Sequence, residues 1–233
     1  MNRCQLVVTN NPKMNFLKIY AFGGLGADRR VFQYLTLKNQ LVVLDWIKPK
    51  KDEQLENYAK RMAIEYGIDK EAEFIILGVS FGGLVAIEIS KLYEAQQTIL
   101  ISSVENRREL SRLIRFIGQI GILKCLPKEI FNPPRKIAHF LFGAEKKELL
   151  NAILDETDPE FVKWAVNELA NWKNETKLEN VLKLGGEKDK LLPPKGENTV
   201  IIKGGGHFMI VDKADRISEI IVTTYECLFL DRK

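Results

Sequence analysis

The sequence predicts an α/β fold, a mostly parallel sheet with helices on both faces and a helical cap inserted between two strands. Three observations predict it. Short apolar runs alternate with amphipathic stretches from residue 16 to 104 and again from 176 to 233. A Gly-rich turn follows the first main strand. A second Gly-rich turn, Gly78-Val79-Ser80-Phe81-Gly82, joins an apolar strand directly to a helical pattern. Strands separated by helices need parallel crossovers, and parallel strands covered on both faces read as continuous apolar runs.

The elements follow in order. Phe16–Phe22 reads as a strand running into Gly23-Gly24-Leu25-Gly26, with a short helix expected from about Asp28 to Leu37. Leu41-Val42-Val43-Leu44 has the uniform hydrophobicity of a strand buried on both faces. From Glu53 to Tyr66, Leu55, Tyr58, Ala59, Met62, Ala63 and Tyr66 fall at helical spacing. A strand over 73–79, a helix over 81–94 and a strand over 98–101 come next. The alternation resumes with strands 181–184 and 199–202 and a last helix from about Lys213 to Leu230. Residues 4–9 are a candidate antiparallel edge strand.

Residues 105–175 break this rhythm. Leu110, Leu113, Ile114 and Ile117 are placed on one helical face, and Phe161, Trp164, Ala165 and Leu169 on another, after the turn signals Pro133-Pro134 and Asp158-Pro159. We read 105–175 as a cap over the strand ends, inserted into a core formed by 1–104 and 176–233. Its Ile117, Ile120, Ile122, Leu123 and Phe140 are candidates for lining a pocket or for plain core. Between Asn106 and Lys147 there are ten basic and three acidic residues, so the rest of the chain is slightly acidic. Such a run is either a solvated helix face or a surface that attracts anionic substrates or an acidic partner.

Composition narrows the function. The chain has 233 residues, 45% hydrophobic and 28% charged, with a net charge of +4, as in a soluble globular protein of one domain. That charge is too mild to argue for nucleic acid, and no binding motif for it is visible. No apolar run is long enough for a signal peptide or a membrane span. Cys4, Cys125 and Cys227 are odd in number and lack metal-ligand spacing, so reduced thiols in a cytoplasmic protein are expected.

The chemistry centres on Ser80. Glycine two residues before and after it permits a sharp strand-to-helix elbow that lifts the hydroxyl above the sheet. The pattern G-x-S-x-G alone arises by chance in roughly one chain in ten of this length, so its partners decide. A serine hydroxyl needs a base in hydrogen-bond reach, and the base needs an orienting acid. There are two histidines. His207 follows the strand 199–202 and three glycines, and is the candidate base; His139 lies among apolar residues and is read as structural. The acid is expected after a strand, between Ser80 and His207 in the chain. Asp189 fits best, with Glu105 and Glu187 as competitors. Two backbone donors are expected for an oxyanion. One is the N–H of Phe81, and the other that of Leu25 or, alternatively, Gly24. A dinucleotide loop at Gly24-Leu25-Gly26 is disfavoured, because no third glycine follows at the required spacing.

The order Ser80, Asp189, His207, the elbow and the Gly23-Gly24-Leu25-Gly26-Ala27-Asp28 loop resemble the α/β-hydrolase superfamily over nearly the whole chain. Gly23 stands where that family often has a histidine bracing the oxyanion loop. Gly185-Gly186-Glu187-Lys188-Asp189 is similar to the family's acid loop, and Gly204-Gly205-Gly206-His207-Phe208-Met209 to its histidine loop. The resemblance implies a hydrolase of the carboxylesterase or thioesterase kind, acting on a small-molecule acyl substrate through an acyl-enzyme, with no metal or organic cofactor. Acyl transfer by the same residues, a non-catalytic small-ligand-binding protein and a partner-binding protein using its basic cap are the alternatives. The sequence leaves the oligomeric state open.

Overall fold

The computed structural model describes residues 17–71, 73–196 and 198–230. Six strands form one sheet, in the order β2-β1-β3-β4-β5-β6. They are β1 (Ile19–Phe22), β2 (Leu41–Leu44), β3 (Ile75–Val79), β4 (Gln97–Ile101), β5 (Val181–Gly186) and β6 (Thr199–Ile202). All five pairings are parallel. The chain leaves β1 to one side for β2, then returns to the other side for β3 and everything after it. The strand order thus reverses at the C-terminal ends of β1 and β3, where open α/β sheets leave a crevice.

The period-2 alternation of side chains sorts each strand between two cores. Tyr20, Phe22, Ile76 and Leu100 pack with α1 (Leu55–Glu65) and α2 (Phe81–Tyr93) on one face. Ile19, Ala21, Ile75, Leu77, Val79, Ile99 and Ile101 pack on the other, with α8 (Met209–Asp212) and α9 (Ala214–Leu230). Helix α2 is apolar on nearly every side and buried from Phe81 to Ser90. A helix with this composition is stable only in the middle of a domain.

Between β4 and β5 run α3 (Arg112–Gln119), α4 (Ile122–Cys125), α5 (Arg135–Phe142), α6 (Lys147–Glu156) and α7 (Pro159–Asn171). Helix α7 begins as its sequence dictates. Asp158 accepts a hydrogen bond from the Glu160 N–H and Pro159 occupies the first turn. The segment is fastened at both ends. Near its start the buried Lys183 of β5 pairs with Glu109. At its finish Trp172 donates its indole N–H to the buried Glu88 of α2 at 2.8 Å. Glu168 of α7, whose carboxyl burial pushes above the usual range, accepts from the Leu55 N–H at the start of α1.

Three expectations are corrected. Residues 28–37 do not form an α-helix. One 3₁₀ turn at Arg29–Val31 leads into turns that send Val31 and Phe32 into the core. Asp28 caps that turn, and the Thr36 N–H bonds Ser218 of α9 instead of a helical carbonyl. Strand β2 is an edge strand among the described residues, and Leu41, Val42 and Val43 are only half-buried. Leu110 precedes α3 and is buried, whereas Leu113 of α3 is exposed, so the two share no helical face. The candidate strand at residues 4–9 lies outside the described residues.

Candidate active site

Ser80 links β3 to α2 with φ 53° and ψ −120°, a left-handed conformation that a side-chain-bearing residue adopts only under constraint. The constraints are specific. Its N–H donates to the Ile101 carbonyl at 2.9 Å, and its own carbonyl accepts from the Gly83 N–H at 2.9 Å and the Ser103 hydroxyl at 2.7 Å. The elbow also demands close backbone approach. A Cβ at Gly78 would lie 2.4 Å from the Gly82 carbonyl oxygen, and one at Gly82 2.3 Å from the Gly23 carbonyl oxygen.

The structure brings Ser80, His207 and Asp189 together at the ends of β3, β6 and β5. The Ser80 Oγ lies 2.8 Å from His207 Nε2. His207 Nδ1 lies 2.8 Å from Asp189 Oδ2. The other carboxylate oxygen, Oδ1, accepts from the backbone N–H groups of Leu191 and Leu192, each at 2.9 Å. Asp189 and His207 are both buried. A carboxylate held by three donors cannot rotate without losing one. The imidazole therefore has one orientation, with Nδ1 protonated toward Asp189 and Nε2 free to accept from the serine.

The competing acids have other occupations. Glu187 accepts from the Gly204 N–H at 2.7 Å. Together with the bonds from the Glu187 N–H to Ile202 and from the Lys188 N–H to Gly205, it sews the acid loop to the histidine loop. Glu105 lies 3.8 Å from the Lys183 ammonium. His139 bonds Asn151 at 2.8 Å and faces neither Ser80 nor Asp189.

The N–H groups of Leu25 and Phe81 make no hydrogen bond among the described residues. Phe81 opens α2, where N–H groups lack intrahelical partners and the helix dipole is positive. Gly24 packs against the serine itself, since a Cβ there would sit 3.4 Å from the Ser80 Cβ. Its carbonyl accepts from Trp46 Nε1 at 3.3 Å and from the Ala27 N–H at 3.1 Å, and its N–H, like that of Leu25, makes no hydrogen bond among the described residues.

A cavity of about 190 Å³ adjoins Ser80 and His207. Its walls are otherwise almost wholly apolar. The core supplies Leu25, Val31, Val79, Leu191 and Leu192, and the segment between β4 and β5 supplies Ile114, Phe142, Leu150, Ile153, Val166 and Leu169. None of Ile117, Ile120, Ile122, Leu123 and Phe140 lines it. Helices α3 to α5 turn other sides inward, leaving Ile120, Ile122 and Phe140 exposed. Phe142 meets the His207 ring edge-on at 5.5 Å between centroids. Its carbonyl accepts from the Phe208 N–H, while Asp212, its carboxyl raised by burial, accepts from the N–H groups of Glu145 and Lys146.

Sequence reasoning missed Ser103 and Phe142. The signal for Ser103 was its place just past β4, at the end of the sheet where Ser80 stands. Phe142 had none, because its contact with His207 depends on how α5 packs. No group of His, Cys, Asp and Glu among the described residues has the arrangement of a metal site.

No protein-family model matches the chain, and no curated protein matches it. Solved structures do. A thermophilic esterase from Thermogutta terrifontis is 18% identical with a TM-score of 0.70, covering 91% of this chain and 90% of its own. A hydrolase from Oleispira antarctica is 16% identical with a TM-score of 0.64, covering 90% and 91%. An N-acyl homoserine lactone degrading enzyme is 15% identical with a TM-score of 0.64, covering 88% and 92%. The chain has the α/β-hydrolase fold.

Proposed function

We propose that this protein is a serine hydrolase that cleaves a carboxylic ester or thioester of a small to medium acyl group. The observation that carries the reading is the unbroken hydrogen-bonded chain from Ser80 through His207 to Asp189, opening on an apolar cavity. In this reading Ser80 Oγ attacks the acyl carbonyl while His207 Nε2 takes its proton. The oxyanion is held by the N–H groups of Phe81 and Leu25. His207 then protonates the leaving alcohol or thiol, and the acyl group stays on Ser80. Water, deprotonated by His207, attacks the acyl-serine and releases the acid, returning the proton to Ser80. Asp189 keeps the imidazole in the accepting tautomer and stabilises the imidazolium.

The cavity supports the choice of substrate. Apart from Ser80 and His207 it offers an acyl chain only hydrocarbon, and its volume lies below the range for drug-sized ligands, about 300–1,000 Å³. Residues 105–175 act as the cap, since α3, α5, α6 and α7 wall the cavity that the sheet leaves open. The test is a fluorophosphonate together with a series of p-nitrophenyl acyl esters and acyl thioesters. Labelling at Ser80, lost in Ser80→Ala, with an optimum at short or medium acyl length, is expected. No labelling and no turnover across the series overturns the reading in favour of a binding protein.

A further inference from the structure

The catalytic reading leaves one surface without a use. Helix α3, helix α4 and the 3₁₀ turn at Lys128–Phe131 pack side by side on α7. The α3–α7 crossing is close, since a Cβ on Gly118 would lie 2.3 Å from the Ala170 carbonyl oxygen. Gly118 therefore marks the inner side of α3, and Ile114, one turn away, reaches the cavity. At 100° per residue Leu113, Phe116 and Ile120 point the opposite way. Ile122 of α4 and Ile130 of the 3₁₀ turn also face solvent, and these five side chains are between 46% and 66% exposed. Burying such side chains stabilises proteins, so a cluster of them left in water marks a contact surface.

The charge beside the cluster says what the contact is. From Arg112 to Lys136 there are six basic residues and one acidic. Lys128 pairs with Glu160 and Arg135 with Asp155, whereas Arg112 and Lys124 form no ion pair among the described residues. A short helix with a ridge of Phe, Leu and Ile flanked by Arg and Lys has the composition of one lying in a membrane interface. We propose that this face adsorbs to an anionic lipid surface, with Leu113, Phe116 and Ile120 entering the headgroup–acyl boundary and the basic side chains meeting lipid phosphates. A second copy is disfavoured, because two such faces would bring like charges together.

The test is independent of catalysis, and Ser80→Ala serves as well as the wild type. The full chain is sedimented with vesicles of phosphatidylcholine, with and without phosphatidylglycerol. Partitioning onto the anionic vesicles is expected, with at least tenfold weaker binding to neutral ones and a marked loss in 0.5 M salt. The double substitution Phe116→Asp with Ile120→Asp lowers anionic-vesicle partitioning at least tenfold, with thermal stability held because both side chains already face solvent. The single substitution Arg112→Gln gives a smaller loss that salt abolishes. No binding to anionic vesicles, or binding indifferent to the ridge substitutions, overturns the proposal and points to an acidic protein. A lipid-free dimer that the same double substitution dissolves overturns it in favour of self-association.

Discussion

Replacing Asp189 by asparagine tests the site most sharply. The aspartate uses one oxygen for two backbone N–H groups and the other for His207. Asparagine has the same shape but a single acceptor oxygen. With that oxygen turned to Leu191 and Leu192, both backbone bonds survive and the amide NH₂ faces His207 Nδ1. Two donors cannot share a hydrogen bond, so the imidazole moves its proton to Nε2, where it can no longer accept from Ser80. The opposite flip leaves two N–H groups in this buried loop facing a donor, at about 1–3 kcal/mol each. The first arrangement wins, and the variant folds with the wrong tautomer. In triads of this kind that error costs about 10⁴ in kcat, about 5 kcal/mol of barrier. The assay is kcat and KM on p-nitrophenyl butyrate beside the melting temperature. KM and melting should change little, while kcat falls about four decades. A loss below about tenfold in a folded variant, or a larger loss in Glu105→Gln or Glu187→Gln, refutes the assignment of the acid.

Three further outcomes are expected. Gly82→Ala puts a methyl group against the Gly23 and Phe22 carbonyl oxygens. It should destabilise the fold by about 1–3 kcal/mol and lower the rate of fluorophosphonate labelling at Ser80, read by melting and by gel. Glu187→Ala frees the Gly204 N–H and loosens the join between the acid and histidine loops; kcat should fall by less than about tenfold and Glu187→Gln, which keeps an acceptor, should restore most of it. Glu53 is held below its usual value of 4.5 chiefly by its hydrogen bond to Arg61, at 2.6 Å. A depressed carboxylate gives stability that is complete above its unfolded-state value and is lost as pH falls below that value and through the lower folded-state one. Melting temperatures measured from pH 6 to pH 3 should therefore fall less steeply in Glu53→Gln than in the wild type.

The strands were legible because short apolar runs between turn signals have few other uses, and Leu41–Leu44 and Thr199–Ile202 match to the residue. What the runs do not carry is their order in the sheet. Leu41–Leu44 reads like an interior strand but lies at the edge, because its neighbours are decided by where the crossovers land. Residues 28–37 were expected to form a short helix, and Val31, Phe32, Leu35 and Leu37 do pack on the core. Tertiary contacts took those side chains without a regular backbone, which local preference does not foresee. At the site, Ser80 and His207 stood out by their glycine settings. What sets Asp189 apart from Glu187 and Glu105 is its hydrogen bond to His207, a contact between two loops that no local sequence pattern carries. The cavity wall was the least legible part, because a helix that is apolar on several sides does not announce which one turns inward.

The two fastenings of the long segment between β4 and β5 restrict how a molecule reaches the serine. Lys183 grips Glu109 where that segment leaves the sheet, and Glu88 grips Trp172 where it comes back. A rigid swing of the whole assembly would tear both. Any movement that opens the cavity is then confined to the stretch between these clasps, while the flanking anchors stay shut. A staple across that stretch would slow entry of a ligand into the cavity while leaving Ser80, His207 and Asp189 untouched.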